Sequence, residues 1–368
     1  MRITLEQIRL LKSLQVVERA INDRSALPIL ANILLEAKEQ ELILTATDLD
    51  VGVRYHLPLS EKSDQGAVTL PARRLTTIVR ELPSEPIIIE VKKNHTTALS
   101  CGASHFRIPG LPPEDFPVFP HQEHTAAATL SQAVLKTLIA QTAFAMSMEE
   151  TRFILNGALL RIREGTVTLV ATDGRRLAVA SSQGASPQPD TSIDVVVPAK
   201  TIRELGRLLQ EGEDGEVAIA PLKDNQLLFQ FGAVTVMTRL VDGQFPNHES
   251  VIPAPVQTTL ACHRQLLVGA IRRASLMTTA TSQAVVFELD KDRLVVSKES
   301  TELGSAREEL PARYTGAPMT IAFNPEFWLD VLRVLESEDM CVELTTPEKP
   351  AVVRLPNFLY LVLPMKLT

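Results

Sequence analysis

Three aspartates occupy positions that invite a catalytic reading. Asp48 and Asp50 lie in Thr45-Ala46-Thr47-Asp48-Leu49-Asp50, and Asp173 lies in Val170-Ala171-Thr172-Asp173-Gly174-Arg175. Paired carboxylates can serve as general acid and base. The recurrence of Thr-Asp at the ends of two β-rich runs fits turn chemistry better, because an Asp side chain there bonds backbone N–H groups two and three residues on. His121 and His124 bracket Gln122-Glu123 in a proline-rich stretch, which reads as a solvated loop rather than a metal site. The seven histidines contain no His-Glu-x-x-His, and the chain has neither Gly-x-x-x-x-Gly-Lys-Ser/Thr nor Gly-x-Gly-x-x-Gly. Cys101, Cys262 and Cys341 are odd in number and scattered, as expected of reduced thiols. No catalytic constellation, metal or cofactor is therefore expected.

The elements around these residues recur. The two Thr-Asp pairs are 125 positions apart, and a degenerate third copy, Val296-Ser297-Lys298-Glu299-Ser300, follows at a similar step. A second unit recurs in phase: a β-rich run, a proline, then a helix, over residues 68–82, 195–209 and 321–335. Each of these helices has one apolar face: Leu75, Ile78, Val79 and Leu82; Ile202, Leu205 and Leu209; Trp328, Val331, Leu332 and Leu335. Each repeat also opens with a helix, expected at 5–21, 131–146 and 262–277, and short β-branched runs such as 42–46, 166–171 and 284–289 lie between. Asp173-Gly174 signals a hairpin turn. A period of about 125 is a domain rather than a solenoid repeat. The pattern implies three copies of one α+β domain, with boundaries at 1–122, 123–252 and 253–368 and proline-rich linkers at 112–124 and 246–255.

Charge is distributed unevenly. The chain has 368 residues, 45% apolar and only 4% aromatic, with a formal net charge of −7. The total argues against nucleic-acid binding. The six helices nevertheless carry 14 Lys and Arg against 6 Asp and Glu, leaving the remainder at −15. Solvated helix faces often carry Lys and Arg. Repetition over six helices of an acidic protein favours a common surface facing phosphates, with sequence-independent, salt-sensitive binding. No apolar run approaches the roughly 18 residues of a membrane span, and residues 1–6 lack the apolar core of a signal peptide. A soluble, cytoplasmic, nucleoid-associated protein is expected.

Together these features resemble the β subunit of bacterial DNA polymerase III, the sliding-clamp family. The resemblance rests on the triplicated domain, Leu27-Pro28-Ile29-Leu30, Asp115-Phe116-Pro117, residues 151–157 (Thr-Arg-Phe-Ile-Leu-Asn-Gly), Ala171-Thr172-Asp173-Gly174 and Leu363-Pro364-Met365-Lys366-Leu367. It covers essentially the whole chain. It implies a non-enzymatic homodimeric ring around duplex DNA, with helices lining the interior and antiparallel sheets outside. It implies a groove between domains 2 and 3 for Gln-Leu-x-Leu-Phe-like peptides of the polymerase III α subunit, the clamp loader, other polymerases and repair proteins. The matching groove positions are Leu155, Thr172, Gly174, Arg175, Arg176, Leu177, Pro246, Val251, Asn324, Phe327, Val362, Leu363, Pro364 and Met365. Arg24, Arg73, Lys136, Glu149, Lys200, Arg203 and Arg207 match DNA-facing positions.

For the dimer interface the resemblance points to Phe106 and Ile108 against Leu276 and Met277, with Arg73, Arg74 and Arg107 near Glu299, Glu302, Glu308 and Glu309. Several residues depart from the family's commonest pattern: Arg175 for histidine, Ser250 for arginine, Lys366 for a terminal arginine, an added Thr368, and Phe153 and Ile154 where tyrosines can lie near DNA. The alternatives are a specialised clamp paralogue, motivated by Arg175 and Ser250, and an unrelated triplicated enzyme, disfavoured by the missing catalytic set.

Overall fold

The computed structural model describes residues 1–21, 27–119, 125–187, 192–210 and 215–366. All six expected helices form: α1 (Gln7–Val17), α2 (Ala72–Glu81), α3 (Gln132–Thr142), α4 (Ala199–Leu208), α5 (Arg264–Ser275) and α6 (Pro325–Val334). The apolar faces of α2, α4 and α6 are the ones the spacing marks. Leu75 and Val79 of α2, Ile202 and Leu205 of α4, and Trp328, Val331 and Leu332 of α6 are all at most 2% exposed.

The opening helices start later than expected. Residues Arg2–Glu6, Ala128–Ser131 and Thr259–His263 are strands, and the helix follows directly in each repeat. Their burial alternates with period two, Ile3 and Leu5 inward between exposed Arg2, Thr4 and Glu6. Such a segment satisfies its backbone in a ladder rather than a helix, as Leu5 does opposite Ile87. The far ends of the first two tighten into 3-10 turns at Glu18–Ala20 and Ala143–Ala145.

The Thr-Asp motif is an Asx turn in the first two repeats. Asp48 Oδ1 accepts from the N–H groups of Asp50 and Val51, and Asp173 Oδ1 from those of Arg175 and Arg176. In the degenerate third copy Ser300 Oγ accepts from Glu302 and Leu303. A hydroxyl thus performs the carboxylate's task at the same offsets, and the aspartates are used in backbone capping.

The chain divides into two compact units, one of Met1–Ala133, Ala185–Thr191 and Arg203–Leu240, the other of Val134–Gly184, Ser192–Ile202 and Val241–Thr368. The first contains a four-stranded and a nine-stranded sheet, the second a twelve-stranded one. The pairings within and between sequence repeats are antiparallel. In the first unit, Val51–Pro58 pairs with Val234–Arg239 of the second repeat, Val53 opposite Val236. In the second unit, Arg176–Gln183 pairs with Phe358–Val362 of the third repeat, Val179 opposite Leu359. The compact units therefore do not coincide with the repeats.

Helix pairs are joined by side-chain-to-backbone bonds. Gln7 Nε2 of α1 donates to Val79 O of α2 at 2.6 Å, and Arg264 Nη1 of α5 donates to Leu332 O of α6 at 2.9 Å. The cores are mainly aliphatic. The exception is a cluster of Phe287, Phe323 and Trp328 with ring centroids 5.4–5.8 Å apart. Cys101 and Cys262 are buried and Cys341 exposed, all as free thiols. Burial pushes the Cys262 thiol up to about 12, which keeps it protonated and inert. No helix among the described residues is long and apolar enough to cross a membrane.

Trp328 is 1% exposed, and its indole N–H has no hydrogen-bond partner among the described residues. Trp328→Ala should cost about 3–5 kcal/mol of stability. Trp328→Phe should cost less than Trp328→Ala, because it leaves a smaller cavity and no hydrogen bond is lost. Urea unfolding of both variants followed by circular dichroism measures the difference.

Candidate functional site

An apolar groove of about 240 Å3 lies within the second unit. Its floor is Leu177 and Leu361, which face each other in register across the paired strands Arg176–Gln183 and Phe358–Val362. Below them lies a core of Leu159, Val170, Val196, Phe245 and Val352. The groove is thus the open top of a packed core. Leu155 closes one side, at the end of a 3-10 segment Glu150–Leu155. Pro246, Asn247, His248 and Val251 form another side, with Pro350 and Leu363 completing the lining.

The rim at Thr172 to Arg176 is held rigidly. Thr172 Oγ1 donates to Arg176 O at 2.6 Å and accepts from Gly174 N at 3.1 Å. Gly174 has φ +84°, and a Cβ there would come within 2.9 Å of Arg152 Nη1, so glycine suits the position. Arg176 joins three elements. Its guanidinium donates to Asp173 (3.1 Å), to Asp330 of α6 (2.8 Å) and to Phe144 O (2.6 Å), and lies 4.4 Å from the Phe327 ring centroid. Burial opposes its charge, but the hydrogen bond to Asp330 and the neighbouring carboxylates outweigh it and raise its pKa. Tyr360 beneath donates to Phe327 O at 2.8 Å, and burial raises its phenol pKa.

Family models for the DNA polymerase III beta subunit match the chain three times over: the N-terminal domain at residues 1–120, the central domain at 129–247 and the C-terminal domain at 249–366. The beta sliding clamp of Pseudomonas aeruginosa is 34% identical over 370 residues, and that of Bacillus subtilis 31% identical over 379. Each alignment spans all of both chains. The chain belongs to the β sliding clamp family. Crystal structures of the P. aeruginosa and B. subtilis clamps superpose with TM-scores of 0.93 and 0.94 at 34% and 30% identity over the full length of both chains. A clamp from Bartonella birtlesii bound to griselimycin superposes with 0.94 at 34% identity. The protein is accordingly a DNA sliding clamp of the replicative polymerase, built from three clamp domains.

Nine of the fourteen expected groove residues line one cavity in this clamp: Leu155, Thr172, Gly174, Arg175, Arg176, Leu177, Pro246, Val251 and Leu363. Five do not. Val362 is fully buried in its strand. Pro364 and Met365 run past the groove, Met365 N bonding Ala322 O at 2.7 Å. Phe327 packs behind Arg176. Asn324 caps α6, accepting from Glu326 N, and lines a separate cavity with Ser275 and Thr278. Asn247, His248, Pro350 and Leu361 line the groove without having been expected. Strand alternation with Leu363 was a usable signal for Leu361. His248 falls between two expected residues of a linker, and nothing local marks Pro350.

Of the residues expected at a dimer interface, Leu276 is 71% exposed and Phe106 39%, whereas Ile108 is 1% exposed and packs inside its own unit. Ile108 therefore cannot offer its side chain to a partner. Glu308 and Glu309 already pair within the chain, with Arg273 and Arg293. Of the residues expected to face DNA, Arg24 lies outside the described residues. Arg73 and Glu149 are exposed, Lys136, Lys200 and Arg203 are half-buried, and Arg207 is paired with Glu204. The His121/His124 pair also lies outside the described residues.

His248 is 7% exposed and stacks edge-on against Phe245. Burial and then the charge of Arg161 hold its pKa below the ordinary histidine value, so it lines the groove as a neutral ring. A proton-detected NMR titration should show His248 charging at lower pH than the ordinary histidine value. Acid should destabilise the folded unit as pH falls through the His248 pKa, because the unfolded chain binds that proton more readily.

Proposed function

We propose that the chain acts as a non-enzymatic homodimeric ring around duplex DNA, with domains at 1–122, 123–252 and 253–368, and that the groove takes extended peptides carrying Leu and Phe. The carriers are the polymerase III α subunit, the clamp loader, and other polymerases and repair proteins. The observation that carries the peptide reading is an apolar groove on top of a packed core, floored by Leu177 and Leu361 and walled by exposed Val251 and Leu363. An apolar slot with a few polar groups at its rim suits an extended apolar ligand. Griselimycin bound to the Bartonella clamp is consistent with a ligand-accepting surface in this family.

The dimer reading draws on two strand edges. The strand Ser104–Ile108 bonds on one side only among the described residues, to Thr97–Cys101. The strand Gly304–Tyr314 meets Thr259–His263 only near its end, over residues 312–314. Edges of this kind recruit a second chain. Exposed Leu276, Phe106 and Leu303 supply apolar contacts beside them. The excess of cations on the helices supports loose, sequence-independent DNA contact in the cytoplasm.

A specialised paralogue is the second reading. Arg175 is exposed at the groove, and Ser250 Oγ is turned back to Asn247 O at 2.8 Å, so neither presents the group commonest in the family. A second clamp gene in the same genome would favour it.

Calorimetry with a Gln-Leu-x-Leu-Phe peptide should give micromolar affinity, since ordering a flexible peptide offsets much of the apolar gain. Leu363→Asp and Val251→Asp, at exposed lining positions, should abolish binding and polymerase stimulation without unfolding the chain. Undiminished binding in both would put the partner site elsewhere.

On DNA, short open duplex should be bound weakly and lost with salt, whereas clamp loaded on a closed circle should persist until the circle is linearised. Equal retention on circular and linear DNA would refute the ring. Light scattering should show a dimer that Leu276→Ala with Met277→Ala shifts toward monomer.

A further inference from the structure

The groove wall formed by residues 246–251 is an arch. Phe245 and Ile252 anchor its two ends in the core beside Leu159 and Leu177. Between these anchors the hydrogen bonds described to backbone carbonyls are local: Ser250 Oγ to Asn247 O, Val251 N to His248 O and Ile252 N to Glu249 O. The inner face of the arch lines the groove. Behind it lies a second, polar cavity of about 720 Å3, whose walls include Arg161, Asp194, Val196, Gln244 and Glu249. Pro246, Asn247 and His248 border both spaces. A wall with open space behind it keeps its position only if something holds it there.

One side-chain tie crosses that space. Arg161, on the strand Gly157–Arg163, donates through Nη1 to Glu249 Oε1 at 3.1 Å. Its Nε donates to Asp194 Oδ2 at 3.1 Å, and Arg163 reaches the same oxygen at 2.6 Å. The Asp194 bond orients the guanidinium, leaving its far nitrogen aimed at the arch. Neither Arg161 nor Glu249 lines the groove.

We propose that Arg161 and Glu249 are positioning residues for peptide binding: their ion pair props residues 246–251 against the groove and sets the fraction of molecules whose groove is ready for a ligand. This rests on the peptide-groove reading above. Apparent affinity scales with that ready fraction. Glu249 is mostly exposed, so the prop is screened by salt.

The test uses full-length protein and an acetylated, amidated Gln-Leu-Ser-Leu-Phe peptide, which carries no charge. Glu249→Gln and Arg161→Gln should each weaken binding about two- to fivefold at low salt, and the double variant no further. Raising salt from about 0.05 to 0.5 M should weaken the unsubstituted protein by the same factor and leave the variants unchanged, because the peptide itself offers no charge to screen. Unchanged affinity in the single variants, additive losses, or one salt dependence shared by all four proteins would overturn the proposal. Hydrogen exchange without peptide gives a second readout. The Val251 and Ile252 amides should exchange faster in Glu249→Gln while the thermal midpoint stays put, and unchanged exchange would also overturn it. Failure of the unsubstituted protein to bind peptide would instead sink the groove reading, with exchange still deciding the prop.

Discussion

The strand Arg176–Gln183 has two edges, and only one is occupied by its hairpin partner Thr166–Thr172. A buried strand with an open edge leaves backbone groups without partners. The vacancy is filled by Phe358–Val362, from the far end of the chain. That pairing places Leu361 opposite Leu177 and carries Leu363 N to Arg175 O. The groove floor exists only because this edge is satisfied by a different repeat. In the other unit Val51–Pro58 meets the same need by pairing with Val234–Arg239.

The cross-repeat pairing also explains why a charged residue is tolerated at the groove. Arg176 begins the strand, so its side chain lies among Asp173, Asp330 and the Phe144 carbonyl. Each of the three guanidinium nitrogens meets an acceptor, and the Phe327 ring takes one side of the plane. A buried guanidinium without those partners would be strongly unfavourable. Here it couples the turn that forms one rim to α6, whose partners reach the core around Trp328.

Helix charge is less available than a count suggests. Arg264 is committed to the carbonyls of Ser337 and Leu332, Arg273 to Glu308 and Arg207 to Glu204. These contacts are structural as well as electrostatic. A tally of Lys and Arg along helices cannot distinguish a cation facing solvent from one holding a neighbouring loop, because the difference lies in which acceptor comes within about 3 Å.

The sequence by itself determined the repeat length, the presence of all six helices, the buried faces of α2, α4 and α6, and the Thr-Asp turns. Those features depend on residues within a few positions of one another, through the 3.6-residue period of a helix or the reach of an Asp side chain to its own backbone. It also ordered most of the groove segments through their resemblance to a known family. The tertiary structure alone decided that each repeat opens with a strand, that sheets run on from one repeat to the next, and that His248, Pro350 and Leu361 meet at one groove while Asn324 turns to another. Strand partnership is settled by whichever distant edge has complementary register and an apolar face to cover. Nothing in the local pattern around Pro350 or His248 encodes which edge that will be.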